Sequence, residues 1–326
     1  MNRFYWISLL TIWVLNQNLA QESAIIRMEK VDWQAEPKLF VDEAKTVFQP
    51  TYEFLSSVEM YEFTYLSDGL KIEDFAAVPK KAGKFPVIVY NRGGNRDYGA
   101  LVLYRNGQNF KYPVSYHFSK LANEGFVVVG CNYRGCGNSE GQDEFGGRDV
   151  NDVVNLVDLL AEIPKADTAK IGMYGWSRGG TMTYQSLIRT DNIKAAVVGG
   201  GPTDITTIDR PNMEKNVLAK LIPNYWENRE AELKKRSAYY FVDQFSKNVP
   251  LLILHGNADW RVKSRHALQL AVKLDELRLP YRLKIFEGGD HGLSAFVEER
   301  DADVVNWFKR YLQESEAVPN MAFPNN

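Results

Sequence analysis

Short, almost wholly apolar runs recur along this chain: Pro86-Val-Ile-Val-Tyr90, Phe126-Val-Val-Val-Gly-Cys131, Lys170–Tyr174, Ala195–Gly199, Leu251–His255 and Arg282–Phe286. They are too brief for helices and lack the polar alternation of a strand with one wet face, so they read as strands buried on both faces. Between them lie segments of helical period. Val150, Val153, Val154, Val157 and Leu160 share one face within Asp149–Ile163, and further helices are expected over Gly179–Arg189, near Ser264–Leu277 and over Ala295–Tyr311. Strands alternating with helices predict βαβ units and a doubly wound, mostly parallel α/β sheet. Val58–Tyr65 and Ile72–Val78, around Ser67-Asp-Gly69, predict an antiparallel hairpin at an edge of that sheet.

Other segments frame this core. Residues 1–20 have one early arginine, an apolar stretch through Leu15 and a polar region ending Leu19-Ala20, the layout of a cleavable signal peptide. The apolar stretch falls short of the roughly 20 residues that span a bilayer, so the mature chain is expected to be secreted or periplasmic, with no membrane span. Residues 21–57, interrupted by Pro37 and Pro50, are expected to pack on the surface or carry a short helix. Residues 58–314 form the main domain and 315–326 a tail. Within the domain, 202–247 separates two strands and holds Pro202, Pro211, Pro223 and the charged run Glu227–Arg236, whose Lys and Glu are expected on a solvated helix face. A connection that long is usually functional, and a cap over one end of the sheet is expected.

The 39 basic and 41 acidic residues nearly cancel, which argues against nucleic acid as a partner. Cys131 and Cys136 are too few for a disulfide framework, and a strand thiol beside a loop thiol is expected to stay unbridged. Gly135-Cys-Gly-Asn-Ser-Glu-Gly141 misses the dinucleotide fingerprint by one residue. No zinc-ligand spacing is present, and neither metal nor organic cofactor is expected.

Gly175-Trp176-Ser177-Arg178-Gly179 carries the chemistry. It is a G-x-S-x-G sequence placed between a strand and a helix, the setting of a nucleophile elbow. A Cβ at either flanking glycine would strike the neighbouring strand or helix. Ser177 would project over a helix N-terminus that favours developing negative charge. A serine hydroxyl needs a base and an orienter, which follow in the order acid then histidine on this kind of sheet. Of the four histidines, His117 precedes the nucleophile, His255 ends a buried strand and His266 is expected on the exposed side of a helix. His291, in Gly288-Gly-Asp-His-Gly292, is left as general base. Asp259, in the loop after the strand ending at His255, is the expected acid. Asp290 competes from an adjacent position, and Asp259 could instead cap the following helix. The oxyanion donors are expected to be the backbone N–H of Arg178 and one from Asn91-Arg-Gly-Gly-Asn95, assigned to Arg92. Tyr225 and Trp226 either line a substrate pocket or pack the cap onto the sheet.

Several segments together resemble the catalytic domain of the prolyl oligopeptidase family of serine peptidases: Asn132-Tyr-Arg-Gly135, Glu144-Phe-Gly-Gly147 with Asp149-Val150, Gly175–Gly180, His255-Gly-Asn-Ala-Asp259 and Gly289-Asp-His-Gly292. The resemblance runs from about Val58 to Leu312 and implies an α/β-hydrolase fold with an inserted cap, and a Ser–Asp–His acyl-transfer hydrolase. Position by position it gives Ser177, Asp259 and His291. Family peptidases commonly carry a β-propeller, which residues 21–57 cannot form. Several use a tyrosine in the oxyanion hole near the place of Arg92, where a backbone N–H must serve here. The expected activity is cleavage of short peptides, with a carboxylesterase as the alternative and a non-catalytic binding protein as a third reading.

Overall fold

The computed structural model describes residues 24–103 and 112–322, so the expected signal peptide lies outside the described residues. The strands are β1 (Ile25–Lys30), β2 (Val58–Ser67), β3 (Leu70–Pro79), β4 (Phe85–Asn91), the short pair β5 (Leu101–Val102) and β6 (Tyr112–Pro113), β7 (Val127–Cys131), β8 (Ala166–Trp176), β9 (Ile193–Gly199), β10 (Leu251–Gly256) and β11 (Tyr281–Phe286). All but β5 and β6 form one sheet, in the order β1-β2-β3-β7-β4-β8-β9-β10-β11. From β7 to β11 every pairing is parallel, while β1, β2 and β3 join antiparallel. This is the sheet of an α/β-hydrolase.

The unbroken apolar runs arise because successive side chains enter different cores. Val87, Val89, Ala196, Val198, Leu251 and Ile253 point into one cluster, and Ile88, Tyr90, Ala195, Val197, Leu252 and Leu254 into the other. Helices α2 (Val150–Leu159), α3 (Arg178–Ser186) and α6 (Arg265–Glu276) cover the first face, and α1 (Val114–Asn123) and α7 (Val297–Phe308) the second. The cap lies between β9 and β10 and contains the single turn α4 (Ala219–Leu221) and helix α5 (Tyr225–Lys235). Its own small core joins Phe145, Ile205, Leu218, Ile222, Tyr225 and Leu233.

Two expectations are corrected. Residues 24–57 carry short helices, at Trp33–Ala35, Pro37–Leu39 and Pro50–Ser56, but they are more than a surface extension: β1 pairs with β2 at the sheet edge, and Trp33, Leu39, Phe40 and Leu55 are buried in the second core. As an edge strand with little buried surface, β1 carries charges such as Arg27 and Glu29 and shows no apolar signature. His266 is buried, sharing the inner face of α6 with Ala267, Leu270, Ala271 and Leu274. Arg236, at the end of the charged run, turns inward onto the carbonyls of Glu144 and Phe145. Cys131 and Cys136 are free thiols, and Cys136 is as buried as its strand neighbour.

Candidate active site

Ser177 sits between β8 and α3 with φ of 56° and ψ of −123°, a strained backbone for a residue with a Cβ. The flanking glycines make the turn sterically feasible. A Cβ on Gly175 would run into the Gly179 carbonyl and Thr183 Oγ1, and one on Gly179 into the Asn91 carbonyl of β4. Ser177 N–H donates to Gly199 O at 2.8 Å, anchoring the turn to the neighbouring strand.

Three side chains meet in series. Ser177 Oγ lies 2.9 Å from His291 Nε2, and His291 Nδ1 lies 2.7 Å from Asp259 Oδ2. Asp259 leaves β10 and His291 leaves β11, so the two parallel strands deliver acid and base to the same sheet end. The histidine loop is pinned from outside: Trp176 Nε1 donates to His291 O at 3.0 Å, and Arg300 Nη1 to Gly292 O at 2.8 Å. Asp259 Oδ1 accepts from the backbone N–H of Arg261 and Val262. Burial of its carboxyl opposes ionisation, but the donors His255 and His291 and the Val262 amide overcome this and hold it well below the usual carboxylate range. Asp290, the sequence competitor, accepts instead from Ser294 N at 2.7 Å. His117, in α1, lines the same cavity.

The two arginines named for their amides also act through their side chains, which the sequence did not reveal. Arg178 bonds Asp143 at 2.6 Å, Gly94 O at 3.1 Å and the Asp149 carboxylate. Arg92 is fully buried and donates to the carbonyls of Asn132, Gly93, Arg96 and Tyr98. Their guanidinium carbons lie 5.0 Å (Arg92) and 5.2 Å (Arg178) from the ring of Tyr133, whose hydroxyl donates to Arg92 O. This stack braces the glycine loop from behind. Beside Ser177 the cavity wall consists of Gly93 and Gly94 rather than Arg92.

The cavity has a volume of about 880 Å³ and its walls include Tyr98, Phe145, Trp176, Ile208 and Met213. Tyr225 and Trp226 belong to a second cavity, within the cap. Tyr225 packs the cap core, whereas Trp226 is exposed. Trp260 is exposed as well, beneath the guanidiniums of Arg210 and Arg261. Among the described residues no group of three or more His, Cys, Asp or Glu side chains is placed to hold a metal ion, and no helix is long and apolar enough to cross a membrane.

A strained serine at a strand–helix turn, bonded to a histidine and aspartate from the next loops of a mostly parallel sheet, defines a serine hydrolase of α/β-hydrolase fold. The chain belongs to the prolyl oligopeptidase family, whose profile matches residues 112–315, and is a serine peptidase of that family. It is 30% identical over 226 residues to the uncharacterized peptidase YtmA of Bacillus subtilis, a match covering 68% of this chain and 82% of that protein. The acylaminoacyl peptidase of Pyrococcus horikoshii superposes with a TM-score of 0.67 at 26% identity, covering 82% of this chain and 44% of its own. A second acylaminoacyl peptidase structure, in complex with Z-Gly-Gly-Phe-chloromethyl ketone, gives 0.62 at 25% identity over 83% of this chain and 43% of its own. The chain thus spans most of YtmA but less than half of the two solved peptidases.

Proposed function

We propose that this chain hydrolyses amide bonds of short peptides through an acyl-enzyme on Ser177. The observation that carries the reading is the continuous relay from Ser177 Oγ through His291 to Asp259, at 2.9 and 2.7 Å. Ser177 attacks the scissile carbonyl as His291 Nε2 takes its proton, while Asp259 holds Nδ1–H and stabilises the imidazolium. The tetrahedral oxyanion accepts from the N–H of Arg178 at the start of α3, where helix amides lack intrahelical acceptors. A second N–H comes from the glycine loop. Since Gly93 and Gly94 face the cavity, the donor shifts one or two residues beyond Arg92. Each such donor is worth about 3 kcal/mol. His291 then protonates the departing amine, and water resolves the acyl-enzyme with His291 as base again.

The volume and apolar walls of the cavity suit a few residues of peptide. A related acylaminoacyl peptidase was captured with a peptidyl chloromethyl ketone, which supports peptides as substrates here. A carboxylesterase has less support, because the relatives are named as peptidases. Export belongs to the same proposal, with mature protein beginning at Gln21, to be read by intact mass of the exported chain. The activity is tested with matched aminoacyl p-nitroanilides and p-nitrophenyl esters, each repeated with Ser177→Ala. Anilide cleavage that vanishes in the variant is expected. Ester turnover with inert anilides would replace the peptidase reading by the esterase.

A further inference from the structure

The cap cavity has a volume of about 590 Å³ and a mixed lining, in which Ile208, Trp226 and the edge of the cap core meet charged side chains such as Glu214, Lys215 and Arg229. Ile208 and Arg210 line both it and the catalytic cavity, so the two are neighbours. At the junction the Arg210 guanidinium lies over the ring of Trp260, one residue beyond Asp259.

Irregular backbone borders this second cavity, as it does several other parts of the chain. Glu214–Leu218 is a π-helix, a rare element that marks functional sites more often than chance. Asn212 and Asn224 hold left-handed φ values of 60° and 51°, and Asn228 breaks α5 with φ of −126°. The Asn224 turn sets the two aromatics of Tyr225-Trp226 edge to face, 5.0 Å between centroids. Tyr225 Oη is fixed on Glu214 Oε1 at 2.7 Å, and Glu214 also takes Arg229. Trp226, 67% exposed, is left standing at the cavity edge. Isolated exposed apolar side chains are ordinary, but this one borders a cavity that adjoins the catalytic one.

Direction follows from the proton relay. His291, which protonates the departing amine, stands beside Gly292 and Arg300, so the leaving group exits there. The acyl side then runs the other way, toward Phe145, whose ring lies against the Arg178 guanidinium and belongs to the cap core.

We infer that the cap cavity is a distal acyl-side subsite, taking a bulky apolar side chain of an extended peptide against Trp226. Arg210 is positioned to donate to a backbone carbonyl of the peptide as it crosses the junction. The inference rests on the peptidase reading for the identity of its ligand.

The test uses oligoalanine substrates lengthened one residue at a time on the acyl side and ending in Phe or in Ala. Each is made as both a p-nitroanilide and a p-nitrophenyl ester. With the native chain, KM falls about tenfold at the length that brings Phe to Trp226, with little change in kcat, because distal contacts bind ground and transition states alike. The Ala-ended series shows no such step. Trp226→Ala removes the step and Trp226→Phe keeps most of it, with fluorophosphonate labelling of Ser177 reporting that each variant is folded. A KM independent of length, or a step that survives Trp226→Ala, overturns the inference. So does a dimer that Trp226→Ala dissociates, since a second copy would then cover the face. If only the esters turn over, the peptidase reading fails while the ester series still decides the subsite.

Discussion

His255 Nε2 stands 3.4 Å from Asp259 Oδ2, the oxygen that takes His291 Nδ1 at 2.7 Å. The same Nε2 lies 2.7 Å from Val262 O, and a carbonyl only accepts, so Nε2 carries the proton. His255 therefore ties the acid loop to the end of β10, with its Nε2 held beside the carboxylate. It acts through Asp259 as a positioning residue.

His255→Phe removes that donor and leaves Val262 O and Asp259 less constrained. A fall in kcat of about tenfold or more is expected, the effect of roughly 1.4 kcal/mol on the barrier, with KM little changed. His255→Gln keeps an N–H donor and recovers most of the activity. Equal kcat in the Phe and Gln variants would show that the ring only fills space.

Acid stability depends on His266. Burial, reinforced by the positive charge of Arg265 and by His255, pushes its imidazole down to about 4, against about 6.5 unfolded. Between those values the unfolded chain binds a proton that the folded chain refuses, so stability falls as pH drops through this window. The full loss is on the order of 3 kcal/mol. Asp259 has a linkage of the same sign at lower pH: its contribution is present above the ordinary carboxyl range and is lost only in stronger acid. Urea unfolding of the native chain and His266→Gln at pH 7 and pH 4.5 checks this. The variant should show the smaller difference, and parallel losses would refute the assignment to His266.

Arg178→Met is expected to destabilise the fold by about 3–5 kcal/mol, because it strands two buried carboxylates, Asp143 and Asp149, without their cation. Arg178→Lys, which keeps a charge but not the fork, should lie between. Urea midpoints of the three proteins measure it. A Met variant as stable as the native chain would mean that the two acids find other partners.

What was legible in the sequence follows from how much physics each position carries locally. The parallel strands announced themselves because Val87–Tyr90 or Leu251–Leu254 must be apolar toward both cores. Ser177, Asp259 and His291 were legible because an elbow needs its glycines and because chain order restricts the partners. Edge strand β1 was not, since one long-range pairing with β2 makes it a strand and its own residues do not. His266 was misread for a similar reason: a histidine on a helix face gives no sign of burial until Asp204 N, 3.4 Å from its Nδ1, and the cap close over it. The buried stack of Arg92, Tyr133 and Arg178 was invisible because its members come from three segments far apart in the chain. Composition favours exposed arginines, and only the assembled site reverses that.

The central claim is that Ser177 is the nucleophile activated by His291 and Asp259. The most direct measurement is intact and peptide mass spectrometry after reaction with a fluorophosphonate, on the native chain and on Ser177→Ala, His291→Ala and Asp259→Asn. The account predicts a single adduct on Ser177, absent from the Ser177→Ala variant and formed at least about a hundredfold more slowly when base or orienter is removed. No adduct on the native chain, or an adduct on another residue, would contradict it.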